Sequence, residues 1–200
     1  MHRVLKPHPA FEQLVLELSC SRHQFTAQWH GPLYRCVELE WARPEYLISG
    51  EGTWHRGSRW MRPGLCRVVH AASTERIALK ESRRVYRYYG IRKAASRPRV
   101  SIQLTAKFCC LADLTGYEGN CHVPSIREML AEHWEKLNAS GVETITQACG
   151  RAAYSVDFEG LIAPSAQDRR GRNVIWFPDA LDSSSHIQIM GQENLKQWLV

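Results

Sequence analysis

A serine beside a cluster of arginines is the first candidate for chemistry in this chain. Residues 160–178, GLIAPSAQDRRGRNVIWFP, contain two apolar runs separated by a charged stretch. This pattern predicts two short buried strands joined by a loop over 168–173. Because Pro164 cannot donate to a strand ladder, we expect the pairing to end there and the Ser165 hydroxyl to be available at the sheet edge. The three arginines of the loop suit an anionic ligand, but a polar turn with a capping serine fits the same residues.

An arginine on the inner face of a strand is the second candidate. Residues 33–39, LYRCVEL, alternate strictly, which predicts a strand with Arg35 on its apolar face. That face also carries Leu33, Val37 and Leu39. A buried guanidinium without a partner is very costly, so Arg35 requires a counter-charge. Either a carboxylate of the protein or a phosphate of a ligand could supply it.

A glutamate on the inner face of a helix is the third candidate. A helix is predicted over 73–89, and its periodicity gathers on one side Thr74, Ile77, Ala78, Val85, Tyr88 and Tyr89. Glu81 lies in the middle of that side. Such a carboxylate either neutralises a buried arginine, for which Arg35 is the obvious partner, or does chemistry in a cleft. A separate basic stripe, either a solvated face or a surface for an acidic partner, consists of Arg76, Lys80, Arg83, Arg84 and Arg87.

A segment rich in glycine, arginine and tryptophan lies between the strand and the helix. Residues 49–64, SGEGTWHRGSRWMRPG, show neither a helical nor a strand period, and the segment is too aromatic to be only a connector. Glycine permits close backbone approach, arginine offers a fork for phosphate, and tryptophan offers a flat surface for a ring. A surface loop pinned by its two tryptophans explains the same composition. The glycine spacing fits neither a dinucleotide fingerprint nor a P-loop.

The remaining patterns complete a single domain without repeats or low-complexity tracts. Helices are predicted over 11–19, 125–137, 143–154 and 194–199, and further strands over 66–71, 99–114 and 186–190. Ser125 and Glu128 form the capping box that opens the second of these helices. We expect a helical extension over 1–32 packed on the domain, the domain itself over 33–190, and a tail helix over 191–200.

Composition narrows the ligand classes. The chain has 200 residues, 44% of them hydrophobic, a net charge of +6 and a pI near 9.0, which suits one substantial core. The positive charge favours a phosphate-bearing ligand, nucleic acid or an acidic protein. A basic nucleic-acid-binding module is therefore an alternative, but it gives an inward Arg35 and Glu81 no purpose beyond a structural ion pair.

The cysteines and the apolar runs indicate the cell compartment in which the protein is expected. The seven cysteines are scattered and contain no C-x-x-C pair, which favours a reducing cytoplasm over a disulfide framework or zinc knuckle. Cys121 and His122 could form half of a metal site, but no second pair lies at ligand spacing, so no metal is predicted. No run is long and apolar enough for a signal peptide or a membrane span.

Several motifs, taken in order, resemble the RES-domain family, which is named for an arginine, a glutamate and a serine. They are LYRCVE, GSRWMRPG, VVHAASTERIALKES, LADLTG, TQACGRAA and GLIAPSAQDRRGRNVIWFP, which together extend from Leu33 to Pro178. The resemblance implies an α/β (α+β) fold of one domain, with a central mixed or antiparallel sheet and flanking helices, related to ADP-ribosyltransferases.

The resemblance also implies roles for individual residues. Glu81 and Arg35 would be catalytic, and NAD+ would be bound by Arg35, Arg59, Trp60, His70, Ser165 and Asn173. In this scheme Arg35 and Arg59 hold phosphates, and Glu81 contacts the nicotinamide-side ribose or orients the nucleophile. Ser165 lines the pocket and hydrogen-bonds NAD+, while Asn173 orders the serine loop. Ser165 is not a convincing nucleophile, because no histidine and acid can be paired with it from sequence.

Two positions depart from the family pattern. Met61 stands where the family usually has asparagine, which could loosen the arginine loop. His70 stands where it usually has tyrosine. Because imidazole titrates near neutrality, we expect this second change to alter the pH dependence.

The implied activity is consumption of NAD+ by a toxin. The nicotinamide–ribose bond would be cleaved by hydrolysis or, with inorganic phosphate as co-substrate, by phosphorolysis. Transfer of ADP-ribose to protein from the same pocket is the alternative. The implied partner is an antitoxin or immunity protein that covers the active site, and a homodimer is possible. Nucleic acid would be reached only through that partner, and the site of action would be the cytoplasm of the producing or a target cell.

Overall fold

A computed structural model describes residues 4–84, 86, 90, 97–119 and 123–193. The helices are α1 (Phe11–Cys20), α2 (Arg22–Phe25), α3 (Pro44–Ser49), α4 (Glu51–Arg56), α5 (Glu75–Ser82), α6 (Ile126–Ala131), α7 (Trp134–Ala139) and α8 (Ile145–Ser155). The strands are β1 (Thr26–Glu38), β2 (Val69–Ala72), β3 (Arg99–Asp113), β4 (Gly160–Ser165), β5 (Asp168–Trp176) and β6 (His186–Ile189), and 3-10 turns cover Leu39–Trp41 and Pro178–Ala180.

The strands form a six-stranded, mostly antiparallel sheet. Its order is β1-β2-β5-β4-β3-β6, and β1 also pairs with β3, so five of the strands close on one another and β6 extends from β3. Strands β3 and β4 run parallel, over Leu111–Asp113 and Gly160–Ile162, and the other strand pairs of the described residues are antiparallel. A parallel pair needs a long crossover, and the connection between these two strands carries α6, α7 and α8. The predicted one-domain α/β fold with flanking helices is confirmed.

The two apolar runs of the last hairpin are buried on both faces. Ile162 and Val174 join the cluster inside the ring of strands, where Leu104 and Trp176 also lie. Leu161 and its neighbours on the other face pack beneath α1 and α8. Burial on both faces explains why these strands read as continuous apolar runs rather than as an alternating pattern.

The hairpin differs from its prediction at the turn. The turn contains only Ala166 and Gln167, and the predicted loop over 168–173 belongs to β5. Pro164 pairs with Arg172, and the register shifts between Pro164 and Ser165. A proline at such an irregularity does not end the ladder. Ser165 is therefore paired and only 5% exposed, not free at the edge.

Other boundaries also differ. Strand β1 begins at Thr26, inside the predicted N-terminal extension, and Leu39 lies in a 3-10 turn with 41% exposure. The glycine-rich segment contains α4, and the helix predicted over 125–137 is divided between α6 and α7. The capping box of Ser125 and Glu128 is confirmed.

Some predictions fall wholly or partly outside the described residues. Helix α5 is described as far as Ser82, so the end of the helix predicted over 73–89 is not covered. The same holds for Cys121 with His122 and for the helix predicted over 194–199.

Candidate active site

A pocket of about 320 Å³ opens between the sheet and the helices that cross it. Strands β1 and β2, with helix α5 packed on them, form one side of the pocket, the strand side. The end of α6 and the start of α7 form the other, the helical side. Its lining includes Tyr34, Arg35, Ser58, Arg59, His70, Ala78, Glu81, Arg84, Leu130, Trp134, Pro164, Ala166 and Asn173. Of the predicted site residues, the structure thus brings together Arg35, Arg59, Trp60, His70, Glu81 and Asn173.

Arg35 lies on β1 with its guanidinium turned inward, as predicted. Its Nη1 donates to the carbonyl oxygen of His70 at 2.8 Å, while its Nε is buried and has no partner. Burial lowers the pKa of Arg35 to about 10, so the side chain stays cationic at neutral pH. Among the described residues no carboxylate lies within ion-pair distance of Arg35, and Glu81 is not its partner. The counter-charge that the sequence analysis required is not provided by this part of the chain.

Glu81 is positioned by the packing of α5 on the hairpin. Thr74 caps the helix by accepting from the Ile77 amide, and Ile77 is buried one turn before Glu81. A β-carbon on Gly171 would lie 2.9 Å from the Ile77 side chain and 3.0 Å from that of Ser165. The absence of a side chain at Gly171 therefore lets helix and hairpin approach closely enough for Glu81 to reach both strands.

Two side chains of the hairpin hold the Glu81 carboxylate. The Ser165 hydroxyl and Asn173 Nδ2 both donate to Oε1 of Glu81, the latter at 3.0 Å. The Ser165 oxygen in turn accepts from the Gln167 amide at 3.1 Å. Pro164 and Asn173 line the pocket. Ser165 is not among the residues that line the pocket, and its hydroxyl contacts Glu81. Asn173 lies in β5 rather than in a loop and also contacts Glu81.

His70 contributes an uncharged ring to the pocket. Burial lowers its pKa to about 3, and the positive charges of Arg35 and Arg59 act in the same direction. Its Nε2 is buried without a partner. The expectation that this ring titrates near neutrality is therefore wrong, because both desolvation and its neighbours oppose protonation.

Arg59 joins the loop before β2 to the helical side of the pocket. Its Nη1 donates to the carbonyl oxygens of Leu130 and Glu132, at 3.2 and 3.3 Å. These are carbonyls at the end of α6, which the helix itself leaves unpaired. The arginine thus fixes the position of α6 relative to the pocket.

The electrostatic environment of Arg59 comes from both sides of the pocket. Burial lowers its pKa, and the nearby positive charge of Arg84 adds to this effect. The carboxylates of Glu135 and Glu81 act in the opposite direction. Arg59 therefore lies within the field of an acid on the strand side and of an acid on the helical side.

Trp60 lines the pocket, but most of it is enclosed by the core. It is 2% exposed and belongs to the main core, and a β-carbon on Gly150 would lie 1.7 Å from its carbonyl oxygen. Met61 is also fully buried, and its carbonyl oxygen accepts from the Ser58 amide at 2.7 Å. Gln147 holds the same loop through the Ser58 carbonyl at 2.8 Å, so methionine contributes to packing while hydrogen bonds order the loop.

The pocket lining also contains two aromatic residues, Tyr34 and Trp134, for which the sequence predicted no binding role. The sequence predicts one continuous helix over 125–137, which includes Trp134. The division between α6 and α7 places it instead as the first residue of α7, where its side chain is half-buried. No sequence periodicity indicates this arrangement.

Two absences concern the described part of the chain. No group of three or more His, Cys, Asp or Glu side chains there could hold a metal ion. No helix there is both long enough and apolar enough to cross a membrane.

Comparisons with known proteins identify the family. The crystal structure of the M. tuberculosis MbcT–MbcA toxin–antitoxin complex contains a chain with a similar fold. The TM-score is 0.60 at 18% identity, over 96% of this chain and 98% of that one. No curated protein matches in sequence. Residues 32–196 match the model of the RES domain, which covers most of the chain and all the site residues described above. The chain therefore belongs to the RES-domain family.

Proposed function

We propose that this protein is the toxin of a toxin–antitoxin pair and cleaves the bond between nicotinamide and ribose in NAD+. The observation that most supports this is that Glu81 and Arg35 line the same pocket. The Glu81 carboxylate is held by two donors, and the inward Arg35 guanidinium has no carboxylate partner in the part of the chain that the structure describes. A positive charge left unneutralised by its own protein is typical of an anion site.

The two arginines would bind the diphosphate of NAD+. Arg35 is turned inward on β1, and Arg59 lines the pocket between the strand side and the helical side. Fixing the diphosphate removes the translational and rotational freedom of the substrate before the bond breaks. Inorganic phosphate could bind to the same cations as a co-substrate.

Glu81 would act on the sugar as the bond breaks. The bond from C1′ of the ribose to the nicotinamide nitrogen breaks, and its electron pair leaves with nicotinamide. Positive charge develops on the sugar, and a fixed carboxylate beside it stabilises such a charge. An oxygen of water or phosphate then bonds to C1′, and its proton passes to the carboxylate or to solvent. The hydrogen bonds from Ser165 and Asn173 both end on Oε1 of Glu81, so neither of them occupies Oε2.

A cognate antitoxin would control this activity. The similar chain in the M. tuberculosis structure was crystallised as part of a toxin–antitoxin complex. A net charge of +6 favours an acidic segment on the partner. We propose that the partner covers the pocket, and that the unbound toxin depletes NAD+ in the cytoplasm of its own or a target cell.

The test is nicotinamide release from NAD+ by the purified protein, with and without phosphate. We expect nicotinamide to appear, with ADP-ribose as co-product in water and its phosphorylated form when phosphate is the acceptor. Glu81→Gln keeps the shape of the side chain but removes its charge, so turnover should fall by about 10²–10³-fold, as for other electrostatic groups. Glu75→Gln, at an exposed position of the same helix, is the matched control and should keep turnover.

The outcomes separate the possible reactions. Unchanged NAD+ under both conditions would contradict cleavage, and parental turnover in Glu81→Gln would show that Glu81 is structural. Labelled protein in place of free ADP-ribose or its phosphate would assign the same pocket to protein ADP-ribosylation.

A further inference from the structure

The helical side of the pocket carries an aromatic ring for which NAD+ cleavage alone gives no role. Trp134 lines the pocket and is half-buried, and among the described residues it is not part of either main core cluster. Trp60 is fully packed in one of those clusters. An aromatic ring beside a pocket offers a flat apolar face on which a ring of a ligand can stack.

Charged neighbours hold this ring in place. The guanidinium carbon of Arg84 lies 5.9 Å from the centre of the Trp134 ring, at the outer range of a cation–π contact. Arg84 is ion-paired with Glu135, the next residue along α7, and each side chain is only 19% exposed. Arg84 therefore ties the segment that follows α5 to the start of α7, and its charge is neutralised by Glu135. The ring has fewer orientations available to it as a result, which lowers the cost of binding.

The position of Arg59 relates this ring to the reacting end of the pocket. Arg59 lines the pocket together with Glu81 and Trp134, and its Nη1 donates to carbonyl oxygens at the end of α6, shortly before Trp134. A diphosphate bound at Arg59 would therefore have one half of its dinucleotide toward Glu81 and the other toward Trp134. The pocket volume of about 320 Å³ is at the low end of the range for small-ligand sites, so a dinucleotide would extend to the helical rim.

We propose that Trp134, supported by Arg84 and Glu135, is the subsite that stacks the adenine base of the dinucleotide. This inference rests on the proposed function for the identity of the ligand. An indole face stacks on any purine, and loss of one such aromatic contact typically weakens binding severalfold to more than a hundredfold. The subsite sets affinity for the adenosine half and leaves the bond-breaking step to Glu81.

Binding measurements on the full chain test the subsite without turnover. Calorimetric titration uses ADP-ribose, which lacks nicotinamide, and nicotinamide mononucleotide, which lacks adenosine. We expect Trp134→Ala to weaken ADP-ribose binding about tenfold or more and Trp134→Phe, which keeps a ring, about threefold or less. Neither variant should change binding of the mononucleotide. Trp41→Ala, at a ring 46% exposed and outside the pocket lining, is the control and should bind both ligands normally.

A direct contact measurement covers the case in which Trp134→Ala does not fold. Magnetisation transfer between the adenine H8 proton and indole protons should be seen with the wild type and should vanish in Trp134→Phe. Unchanged ADP-ribose affinity in Trp134→Ala, equal losses for both ligands, or no adenine–indole transfer would overturn the subsite. ADP-ribose binding that depends on Trp134 without NAD+ cleavage would contradict the proposed function and leave the subsite standing. A wild type that binds neither ligand would overturn the subsite as well.

Discussion

Two buried charge clusters in this protein use the same residue types in opposite ways. In the first, Glu143 is completely buried, and its carboxylate accepts hydrogen bonds from Arg151 Nε at 2.9 Å and Nη2 at 2.8 Å. The His8 amide adds a third bond at 2.9 Å, and the Arg151 guanidinium lies 3.2 Å from the centre of the Phe11 ring. The charges of Glu143 and Arg151 are thus paired with each other, and the cluster ties the N-terminal segment and α1 to α8.

The pocket keeps its opposite charges apart. Arg35 donates to one carbonyl and has a buried Nε without a partner, while Glu81 takes both its recorded hydrogen bonds on one oxygen from uncharged donors. An inward arginine and a half-buried glutamate could have neutralised each other, as Arg151 and Glu143 do. Keeping them separate costs stability, and proteins accept such a cost mainly at functional sites.

The largest expected effect is a loss of stability when the ion pair of Glu143 and Arg151 is broken. Glu143→Gln leaves the Arg151 charge buried without its partner, so we expect the free energy of unfolding to fall by about 3–5 kcal/mol. Urea unfolding measures this loss, with Glu45→Gln as an exposed control. Where the variant is folded, its NAD+ turnover per folded molecule should match the wild type. A loss below about 1 kcal/mol would show that the ion pair is not the anchor that its geometry indicates.

A second effect concerns the pH dependence of stability at the pocket. The pKa of His70 is about 3 in the folded protein and near 6.5 in the unfolded chain, so only the unfolded chain binds this proton between those values. The free energy of unfolding should therefore decrease as pH falls through 6.5, by about 2 kcal/mol at pH 5 for this one group. His70→Asn removes this contribution and should flatten the profile by that amount.

Urea midpoints from pH 7 to pH 5 provide the measurement for His70. His186→Asn, at an exposed histidine, is the control and should keep the slope of the wild type. Equal slopes in His70→Asn and the wild type would mean that the His70 ring is protonated as easily in the fold as in water. The pocket would then be wetter and less positive than its arginines indicate.

Local sequence patterns predicted the elements that bring the acid and the arginine to the pocket. Alternation in β1 turned Arg35 inward, and helical periodicity in α5 placed Glu81 beside buried Ile77. The capping box of Ser125 was equally readable, because each of these signals depends on residues within a few positions of one another.

Contacts between distant segments account for most of the errors. The enclosure of Trp60 in the core depends on a close approach by another helix, in which Gly150 meets the Trp60 carbonyl oxygen. The direction of the Ser165 hydroxyl depends on how closely α5 meets the hairpin at Gly171. Neither relation leaves a periodic trace in the sequence, so the resemblance to the family could name the residues but not their geometry.

The smallest of the expected effects distinguishes the two roles that have been assigned to Ser165. If its hydroxyl orients Glu81, Ser165→Ala should lower kcat about tenfold and leave KM for NAD+ nearly unchanged, since one hydrogen bond to a charged group is lost. If the hydroxyl binds NAD+ directly, KM should rise instead. Ser155→Ala removes a hydroxyl that bonds only within its own helix and should change neither constant. A raised KM with unchanged kcat in Ser165→Ala would show that the serine binds NAD+ directly. Asn173 would then be the residue that orients Glu81.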